Sequence, residues 1–508
     1  MLCSFPAAGK LRECNHNVNM ITLTNQYNEL VLHQTTFCEN LIIKISSATE
    51  VVIENQIGSN QSYLIELRDN RFTLFEVGSF QSSNHKLCIQ QSIKQICDPT
   101  FSHVHSIVEG VDVLMAGKGV KVQIIDSKIK YDIYYSPIRA ISAPEYHDPI
   151  EILVDNIKRI LSNKNTKCVA VRFSGGVDST ALLLIAIELL GKDNVLAVTW
   201  TNNSGSAHMD KTYAASFCKN LGVKNIQLDF SEEFFFGEPK SSILPIIKTG
   251  YILDRFYFYE SEMIKTHFPE CNLIMDGHGG DHVFLDPVPV EILKTIFKEN
   301  GIKGLSKAAR SFRLLYGSSI SRHIYTRMRG AAFYKKNTLN YFSGKALSIA
   351  KINLKRKEFI NSHLTYLREA IFHNSTNPSH PELIDVSHPF TTKDMIAYGV
   401  SLDVSTLFDE STTRIPFRKA IHARYGEHRL RKDKGHITGA YQRALAKHST
   451  GIDKIISNGS LVKNEYLNLD KFNLSMRLHA SGINGCDPAI LKIILFELMC
   501  IYFRGINE

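Results

Sequence analysis

Hydrophobic and polar positions alternate in short pieces over the first 140 residues of the chain. Examples of this alternation are Tyr63–Leu67, Phe72–Val77, Val120–Ile125 and Lys128–Tyr135. Turn-forming residues separate the pieces, with Asp69-Asn70 in one gap and Asp126-Ser127 in another. A period of two broken by such residues is typical of β-hairpins that keep one face in water. The pattern therefore predicts a mostly antiparallel β domain over residues 1–140, with Leu87–Cys97 as its best helix candidate.

From Ile150 onward, helical periods alternate with short apolar runs. The predicted strands are Cys168–Phe173, Asn194–Trp200, Lys224–Asp229 and Asn272–Asp276, and the predicted helices are Ile150–Asn163, Asp178–Leu190 and Met209–Leu221. This alternation predicts a doubly wound parallel sheet whose ligand crevice lies at the carboxyl ends of the strands.

After Asp286 the sequence is helical and basic, as in Leu305–Arg329 and Ala346–Glu358. The proline-containing stretch Ser136–Pro149 is the predicted linker between the two patterns, so residues 150–508 are predicted to form the second domain. At 508 residues, the chain is also too long for a single core.

Composition and charge exclude several classes of protein. The content of 44% hydrophobic and 21% charged residues is that of a globular protein. A net charge of +9 permits an anionic ligand but does not indicate nucleic acid, because scattered surface lysines give the same value. The ten cysteines never fall at C-x-x-C spacing, which favours buried free thiols over disulfides or zinc. We expect a cytoplasmic protein without membrane insertion and without a nucleic-acid partner.

The stretch Lys167–Gly191 carries the clearest chemical signal. A buried strand runs into Ser174-Gly175-Gly176, and a helix opens at Asp178-Ser179 and stops at Gly191. A glycine turn at a helix N-terminus is an anion site, because backbone N–H groups and the helix dipole both face the ligand. No lysine follows the glycines, so this is not a Walker loop. The string SGGVDS instead resembles the PP-loop of ATP pyrophosphatases, which cut ATP between its α- and β-phosphates.

A second glycine-rich motif, LIMDGHGGDHVF, follows the predicted strand that ends at Asp276. Its glycines allow close approach to a phosphate. Magnesium prefers carboxylate and phosphate oxygens, so Asp178 in the first loop and Asp281 in the second are the expected metal-binding pair. Zinc at His278 and His282 is the weaker alternative, since no cysteine or third histidine lies nearby in sequence. Either histidine is also explained as a hydrogen-bonded loop residue.

The order of these features resembles the asparagine synthetase family of amidotransferases and its β-lactam synthetase relatives. Within that family the string GHGGDH is most similar to the lasso peptide cyclases, which are macrolactam synthetases. Ordinary asparagine synthetases usually have Glu where His278 and His282 stand. The resemblance implies an α/β fold in which a degenerate β-rich domain of the N-terminal nucleophile type precedes a doubly wound PP-loop domain with a helical C-terminal part.

The resemblance also assigns roles to particular residues. It implies ATP and Mg²⁺ as cofactors, with pyrophosphate cradled by Ser174, Gly175, Gly176, Asp178 and Ser179, and with Mg²⁺ held by Asp178 and Asp281. Adenine would meet the strand around Val198, and Asp276 and Gly277 would face the ribose or the α-phosphate. Lys434, preferred to Lys432, would stabilise the charged intermediate, so Asp178, Asp281 and Lys434 are the expected catalytic residues. A basic helix end capped by Gly435 is the alternative interpretation of this segment.

The N-terminus separates branches of the family. Asparagine synthetases release ammonia with a cysteine that is the first residue of the mature chain. Here Met1-Leu2 precede Cys3, and an internal cysteine has no α-amino group to act as its base. The glutaminase is therefore expected to be inactive, and the attacking amine is expected to belong to the substrate.

These features together lead to a hypothesis of two-step amide synthesis on a leaderless core peptide. An Asp or Glu side-chain carboxylate is adenylated, and the peptide's own N-terminal amine closes a macrolactam, releasing AMP and pyrophosphate. A leader peptidase of the same pathway is the partner that the resemblance implies. A β-lactam synthetase-like ligase acting on a small amino acid is one alternative, and a non-catalytic ATP-binding scaffold is another.

Overall fold

The computed structural model of the chain describes residues 20–34, 41–59, 62–76, 86–97, 106–137, 148–201, 206–236, 254–290, 292–317, 319–322, 340–350, 363–374, 382–426, 438–483 and 487–507. In the N-terminal part, two antiparallel sheets pack face to face. One sheet has the order β2-β1-β6-β5-β7 and the other the order β3-β4-β8-β9. Their strands are β1 (Met20–Gln26), β2 (Glu29–Gln34), β3 (Leu41–Ser47), β4 (Glu50–Asn55), β5 (Tyr63–Arg68), β6 (Arg71–Glu76), β7 (Val111–Leu114), β8 (Lys118–Ile125) and β9 (Lys128–Tyr135).

Tight turns join the hairpins of these two sheets. Asp69 and Asn70 have φ angles of 49° and 59°, and Asp126 and Ser127 have 54° and 61°. Positive φ at both central residues matches the right-handed twist of the flanking strands, and Asn and Asp tolerate it better than most residues. The sequence predicted both turns. It missed the turn at Tyr27-Asn28, with φ angles of 54° and 62°, because tyrosine is not a turn-forming residue.

The interior between the two sheets is filled by apolar side chains. Ile21, Ile65 and Phe72 from the first sheet meet Ile53 and Val120 from the second, and all five are fully buried. Alternate positions of β4 are buried and half-buried, as expected for a strand that presents one face to a core. The closed interior makes this part of the chain a packed β-sandwich.

The second part is built on a five-stranded parallel sheet with the order β12-β11-β10-β13-β14. Its strands are β10 (Val169–Arg172), β11 (Val195–Thr201), β12 (Lys224–Asp229), β13 (Leu273–Met275) and β14 (Asp385–Ser387). The chain winds outward from β10 in both directions, so the strand order reverses between β10 and β13. Ligands of such sheets bind at the carboxyl ends of the strands, at this switch point. Both glycine-rich motifs begin there.

Helices cover the parallel sheet and complete the chain. They are α1 (Ile89–Cys97), α2 (Pro149–Asn163), α3 (Val177–Leu190), α4 (Ser206–Leu221), α5 (Asp254–His267), α6 (Gly280–Val283), α7 (Ile292–Tyr316), α8 (Gly344–Ala350), α9 (His363–Asn374), α10 (Lys393–Ser401), α11 (Ile415–Tyr425), α12 (Thr438–Lys447), α13 (Ser449–Ser457), α14 (Ser460–Lys463), α15 (Leu469–Ala480) and α16 (Pro488–Asn507). Two apolar cores result, one on each face of the parallel sheet. Within the described ranges, no helix is long and apolar enough to cross a membrane.

The fold class predicted from the sequence is confirmed, and the strand Lys224–Asp229 has its predicted bounds. The helical character predicted after Asp286 is seen in α7, which is interrupted at Gly301, where φ is 64°, and ends before Gly317, where φ is 63°. Part of the basic stretch Leu305–Arg329 lies outside the described residues. Strand β14 was not predicted, because three residues carry too little pattern. The division into domains 1–140 and 150–508 stays a prediction.

Candidate active site

The first glycine loop folds tightly against the start of α3. Gly175 has a φ of 78°, and Gly176 is the extended residue before the helix. The Ser179 hydroxyl donates to the Gly176 carbonyl oxygen at 3.1 Å and lies 3.3 Å from the Ser174 hydroxyl. This network fixes the loop against the N-terminus of α3. The first N–H groups of the helix have no partner within the helix, and the helix dipole stabilises an anion at this end.

The second glycine loop packs directly on Asp178 of the first. A Cβ added at Gly277 would lie 3.0 Å from the Asp178 Cβ, and one added at Gly280 would lie 2.4 Å from the Asp178 Oδ1 atom. Only glycine allows this approach, because real Cβ atoms do not come within 3.0 Å of a neighbour. The two motifs thus pack into a single site. Asp281 belongs to this site and lies in the first turn of α6.

Arg414 stands at the centre of this structure, with only 1% of its side chain exposed. Its Nη1 atom donates to both carboxylate oxygens of Asp178 at 2.6 Å. Its Nη2 atom donates to Asp281 and lies 2.7 Å from an oxygen of Asp286, which also accepts from Nε at 2.8 Å. The backbone of Arg414 is left-handed, with a φ of 59°, just before α11. Three carboxylates therefore share one guanidinium.

Asp178 and Asp281, the residues that would hold a divalent cation, lie on either side of the Arg414 guanidinium, Asp178 at Nη1 and Asp281 at Nη2, and Asp286 adds a third carboxylate. The carboxylate oxygens are hard donors of the kind that magnesium prefers, and a metal would replace the guanidinium between them. No group of three or more protein donors forms a complete metal cage in the described ranges. Magnesium does not need one, because it binds through one or two carboxylates together with substrate phosphates.

A second buried ion cluster fixes the end of β10. Arg172 pairs with Glu260 through two hydrogen bonds, of 3.0 and 2.6 Å, and with Asp276 through one of 2.9 Å. Its guanidinium lies over the Trp200 ring, 4.7 Å from the centroid, and the indole N–H donates to Glu260 at 2.7 Å. Because each charge has a charged partner and further hydrogen bonds, the cluster holds the carboxyl ends of three strands in a fixed relation.

Asp276 remains ionised in this cluster at every ordinary pH. Burial alone would raise its pKa, but the Arg172 guanidinium reverses this effect and lowers the pKa of Asp276 to about 2. A lowered pKa means that the ion pair stabilises the fold above the ordinary Asp value and loses this contribution as the pH falls through about 2. The anchor between β10 and β13 is therefore insensitive to pH in the working range.

Four histidines lie beside the second loop, of which His363 reaches the His282 carbonyl oxygen through Nε2 at 2.9 Å. The ring centroids of His278 and His282 are 5.6 Å apart, and those of His278 and His388 are 5.4 Å apart. His278 Nε2 lies 3.2 Å from the Ala370 carbonyl oxygen, and the backbone N–H of His278 donates to Asp276 at 2.7 Å. His388, at the end of β14, was assigned no chemistry from the sequence, yet it borders the same site.

The structure brings together most of the residues that the sequence proposed. Ser174, Gly175, Gly176, Asp178 and Ser179 form the first loop, and Asp276, Gly277 and Asp281 lie in the second loop that packs on it. Val198 is fully buried in β11, and its carbonyl oxygen accepts from the Phe173 N–H at 2.8 Å. Lys434 and Lys432 lie outside the described residues. The roles of all these residues stay predictions.

Sequence reasoning missed Arg414, Asp286, Arg172 and Glu260. Arg414 lies 236 residues from Asp178, and no local motif marks it. Arg172 is the one of these residues that the sequence could have indicated. It ends the apolar strand β10, and a charge in that position needs a buried partner of opposite charge.

Gly280→Ala tests the contact between the loops. The added methyl group would displace the Asp178 carboxylate from Arg414 and from any ligand. We expect a loss of about 10²-fold in ATP turnover, since a displacement of about 1 Å has that effect in active sites. Gly451→Ala is the matched control, because its Cβ meets nothing within 4 Å. An active Gly280→Ala variant would contradict the packing described here.

His388 makes the stability of the fold dependent on pH. Burial lowers the pKa of His388 to about 3, so the folded state keeps this ring neutral below the ordinary histidine value. The unfolded state then binds more protons, and the free energy of unfolding should fall as the pH drops from about 6.5 towards 3, by at most about 1.4 kcal/mol per pH unit. His388→Gln should flatten this slope in urea titrations, whereas the exposed His33→Gln should leave it unchanged.

Comparison with known proteins agrees with this geometry. Residues 152–493 match the family described as asparagine synthase, and the chain therefore belongs to that family. It is 25% identical over 288 residues to the Microcin J25-processing protein McjC of Escherichia coli, an alignment that covers 54% of this chain and 49% of that protein.

Two shorter matches are to NH(3)-dependent NAD(+) synthetases. The enzyme of Thermotoga maritima is 36% identical over 74 residues, which cover 15% of this chain and 26% of the enzyme. The enzyme of Methanococcus aeolicus is 35% identical over 68 residues, which cover 13% of this chain and 26% of the enzyme. The chain thus spans half or less of the length of each curated relative.

Proposed function

We propose that this protein is an ATP-dependent lasso peptide cyclase. A side-chain carboxylate of Asp or Glu in a core peptide attacks the α-phosphorus of ATP, which forms an acyl-adenylate and releases pyrophosphate. The N-terminal amine of the same peptide then attacks the acyl carbon, closes a macrolactam and releases AMP. Membership of the asparagine synthase family supports carbon–nitrogen bond formation of this kind.

The observation that carries the proposal is the convergence of Asp178 and Asp281 on one cation at the topological switch point. A site that only binds a nucleotide needs the loop and the helix dipole. Two carboxylates from the first turns of two helices that share one buried positive group go beyond this requirement. They suit a reaction in which negative charge grows on the departing pyrophosphate, because a cation held by them would neutralise that charge.

The residues of the two loops have separable tasks in this reaction. The backbone of Ser174–Gly176 and the N-terminus of α3 would bind the phosphates, while Asp178 and Asp281 would hold Mg²⁺. When bound, Mg²⁺ supplies Lewis acidity and charge neutralisation at the pyrophosphate. Arg414 already lies among these carboxylates, so its guanidinium can pair with phosphate oxygens without leaving the site.

Two observations favour a peptide as the substrate. The relative from Escherichia coli is described as a protein that processes microcin J25. The string GHGGDH of the second loop resembles that of lasso peptide cyclases. An enzyme that holds both reacting ends of one peptide makes the amide-forming step intramolecular. Such positioning lowers the activation barrier by about 7–11 kcal/mol in favourable cases.

A product assay tests this function. The protein is incubated with ATP, Mg²⁺ and a linear core peptide, either that of microcin J25 or that encoded by a short reading frame beside the gene. We expect AMP, pyrophosphate and a peptide lighter by one water. A peptide with an acetylated N-terminus should yield pyrophosphate but no ring, and one with Asn or Gln at the acidic positions should yield neither. Formation of ADP and phosphate would contradict the proposal.

The same assay separates the alternatives. Turnover with a small amino acid but with no peptide would favour a β-lactam synthetase-like ligase. An absence of ATP consumption under all conditions would favour a nucleotide-binding scaffold. Glutamine hydrolysis by the purified protein would contradict an inactive glutaminase domain. A leader peptidase of the same pathway is part of the proposal, because the cyclisation needs a free N-terminal amine on the core peptide.

A further inference from the structure

Ring closure needs a group that takes a proton from the attacking nitrogen, and the carboxylates of the site are poorly placed for this task. Asp178, Asp281 and Asp286 all pair with Arg414. Asp276 pairs with Arg172 and stays ionised only through that pairing. The unassigned chemistry of the site therefore lies in its four histidines, His278, His282, His363 and His388, which the proposed function does not otherwise use.

His278 stands in the second glycine loop, which packs on Asp178 of the first. The glycines around it, Gly277 and Gly280, both pack on Asp178. The backbone of His278 is tied to Asp276 by its N–H, so its position relative to the two motifs is fixed. Its side chain is only half-buried.

The hydrogen bond to Ala370 determines the tautomer of His278. A carbonyl oxygen only accepts, so Nε2, which lies 3.2 Å from it, carries the hydrogen. In the neutral ring the basic lone pair is then on Nδ1. The same hydrogen bond strengthens when the ring becomes positive, because a charged donor binds a carbonyl more strongly. Both effects prepare the ring to accept one proton at one defined atom.

The other three histidines are less suited to accept a proton. Burial lowers the pKa of His363, whose Nε2 atom lies 2.9 Å from the His282 carbonyl oxygen. Burial lowers the pKa of His388 to about 3, so this ring resists protonation. His282 is the neighbour of Asp281 in the chain and packs on the Tyr366 ring, with centroids 4.5 Å apart. The edge-to-face contacts of His282 and His388 hold the His278 ring from two sides.

We propose that His278 is the general base of ring closure, an inference that rests on the proposed cyclase function. The neutral N-terminal amine attacks the acyl carbon, so that a C–N bond forms and the nitrogen becomes positive. Nδ1 of His278 takes one hydrogen from this nitrogen as a proton. The C–O bond to AMP breaks, and its electron pair leaves on the phosphate oxygen of AMP. No step needs an oxidant or a further reactant.

The groups that face His278 are consistent with this role. Asp276 lies on its own loop, and His388 comes from the end of β14. Helix α9 contributes the Ala370 carbonyl oxygen, and Tyr366 of the same helix packs on His282. Arg172 reaches this region only through its ion pair with Asp276.

Hydroxylamine separates the two half-reactions in a test. It traps acyl-adenylates as hydroxamates and is largely unprotonated at neutral pH, so it needs no base. In His278→Gln the side-chain amide keeps a donor for Ala370 but removes the base. With the linear core peptide, this variant should keep ATP–pyrophosphate exchange and hydroxamate formation within about 2-fold of the wild type, and should lose ring closure by about 10²–10⁴-fold.

His278→Asn, which has a shorter amide, is the second variant, and His33→Gln on strand β2 is the control. Wild-type rates of ring closure in either His278 variant would overturn the assignment. So would a parallel loss of exchange, hydroxamate and ring in a variant with an unchanged thermal unfolding curve, because His278 would then only support the loop. If the wild type itself shows no exchange, the proposed function fails instead, so the two failures are distinguishable.

Discussion

Asp178→Asn should reduce ATP–pyrophosphate exchange by at least about 10²–10³-fold while leaving the fold intact. Both oxygens of Asp178 face the guanidinium of Arg414, and the neutral amide would remove this charge from the centre of the site. Loss of one preorganised electrostatic contact in an active site has an effect of this size. Arg414 keeps Asp281 and Asp286 as partners, so we expect only a small change in thermal unfolding.

Asp193→Asn is the matched control for this experiment. Asp193 is exposed and lies just before β11, at the amino ends of the strands, whereas the site lies at their carboxyl ends. The change removes the same charge from the same residue type, and the rate of exchange should not change. If Asp178→Asn exchanged pyrophosphate as fast as Asp193→Asn, Asp178 would have no part in ATP chemistry.

Arg414→Met should destabilise the protein by about 3–5 kcal/mol, because three carboxylates lose their shared partner in a buried place. Urea titration measures the change. Mg²⁺ should restore part of the loss, and it should raise the unfolding midpoint of the variant by more than that of the wild type. In the wild type, the metal must first displace a guanidinium from the same oxygens. A cation that binds only the folded state adds about 2.7 kcal/mol at a hundred times its Kd.

Arg424→Met, in the helix α11 that Arg414 precedes, is the control. Arg424 pairs with Glu188 at the surface, where such a pair contributes about 0–1 kcal/mol. Similar urea midpoints for the two variants would show that Arg414 is not the centre of a buried ion cluster. A variant of Arg414 that does not respond to Mg²⁺ would argue against a metal at these carboxylates.

The sequence predicted the parts of the site that depend on local pattern. A strand followed by a glycine turn and a helix is visible in a window of 25 residues, and the parallel sheet brings two such windows to one edge. This is how Asp178 and Asp281 were paired across about a hundred residues. The hairpin turns at Asp69-Asn70 and Asp126-Ser127 were predicted for the same local reason.

Contacts set by packing were not predictable in this way. Arg414 reaches Asp178 only because α11 begins beside α3, and its left-handed backbone has no sequence signal in an arginine. Asp286 follows the second motif without any spacing that marks it. Strand β14 is three residues long, so His388 could not be placed at the switch point until its pairing with β13 was known. In each case the missing information was a long-range contact.

The connection from β13 to β14 has a consequence for how such enzymes diversify. Strands β13 and β14 are neighbours in the sheet, yet more than a hundred residues separate them along the chain. That excursion contains α9, which places Ala370 against His278, whereas the phosphate loop comes from β10 and α3. The second glycine loop and Asp281 open the same excursion. Insertions and replacements in its later part, beyond Asp286, can therefore alter what surrounds His278 without touching either glycine loop.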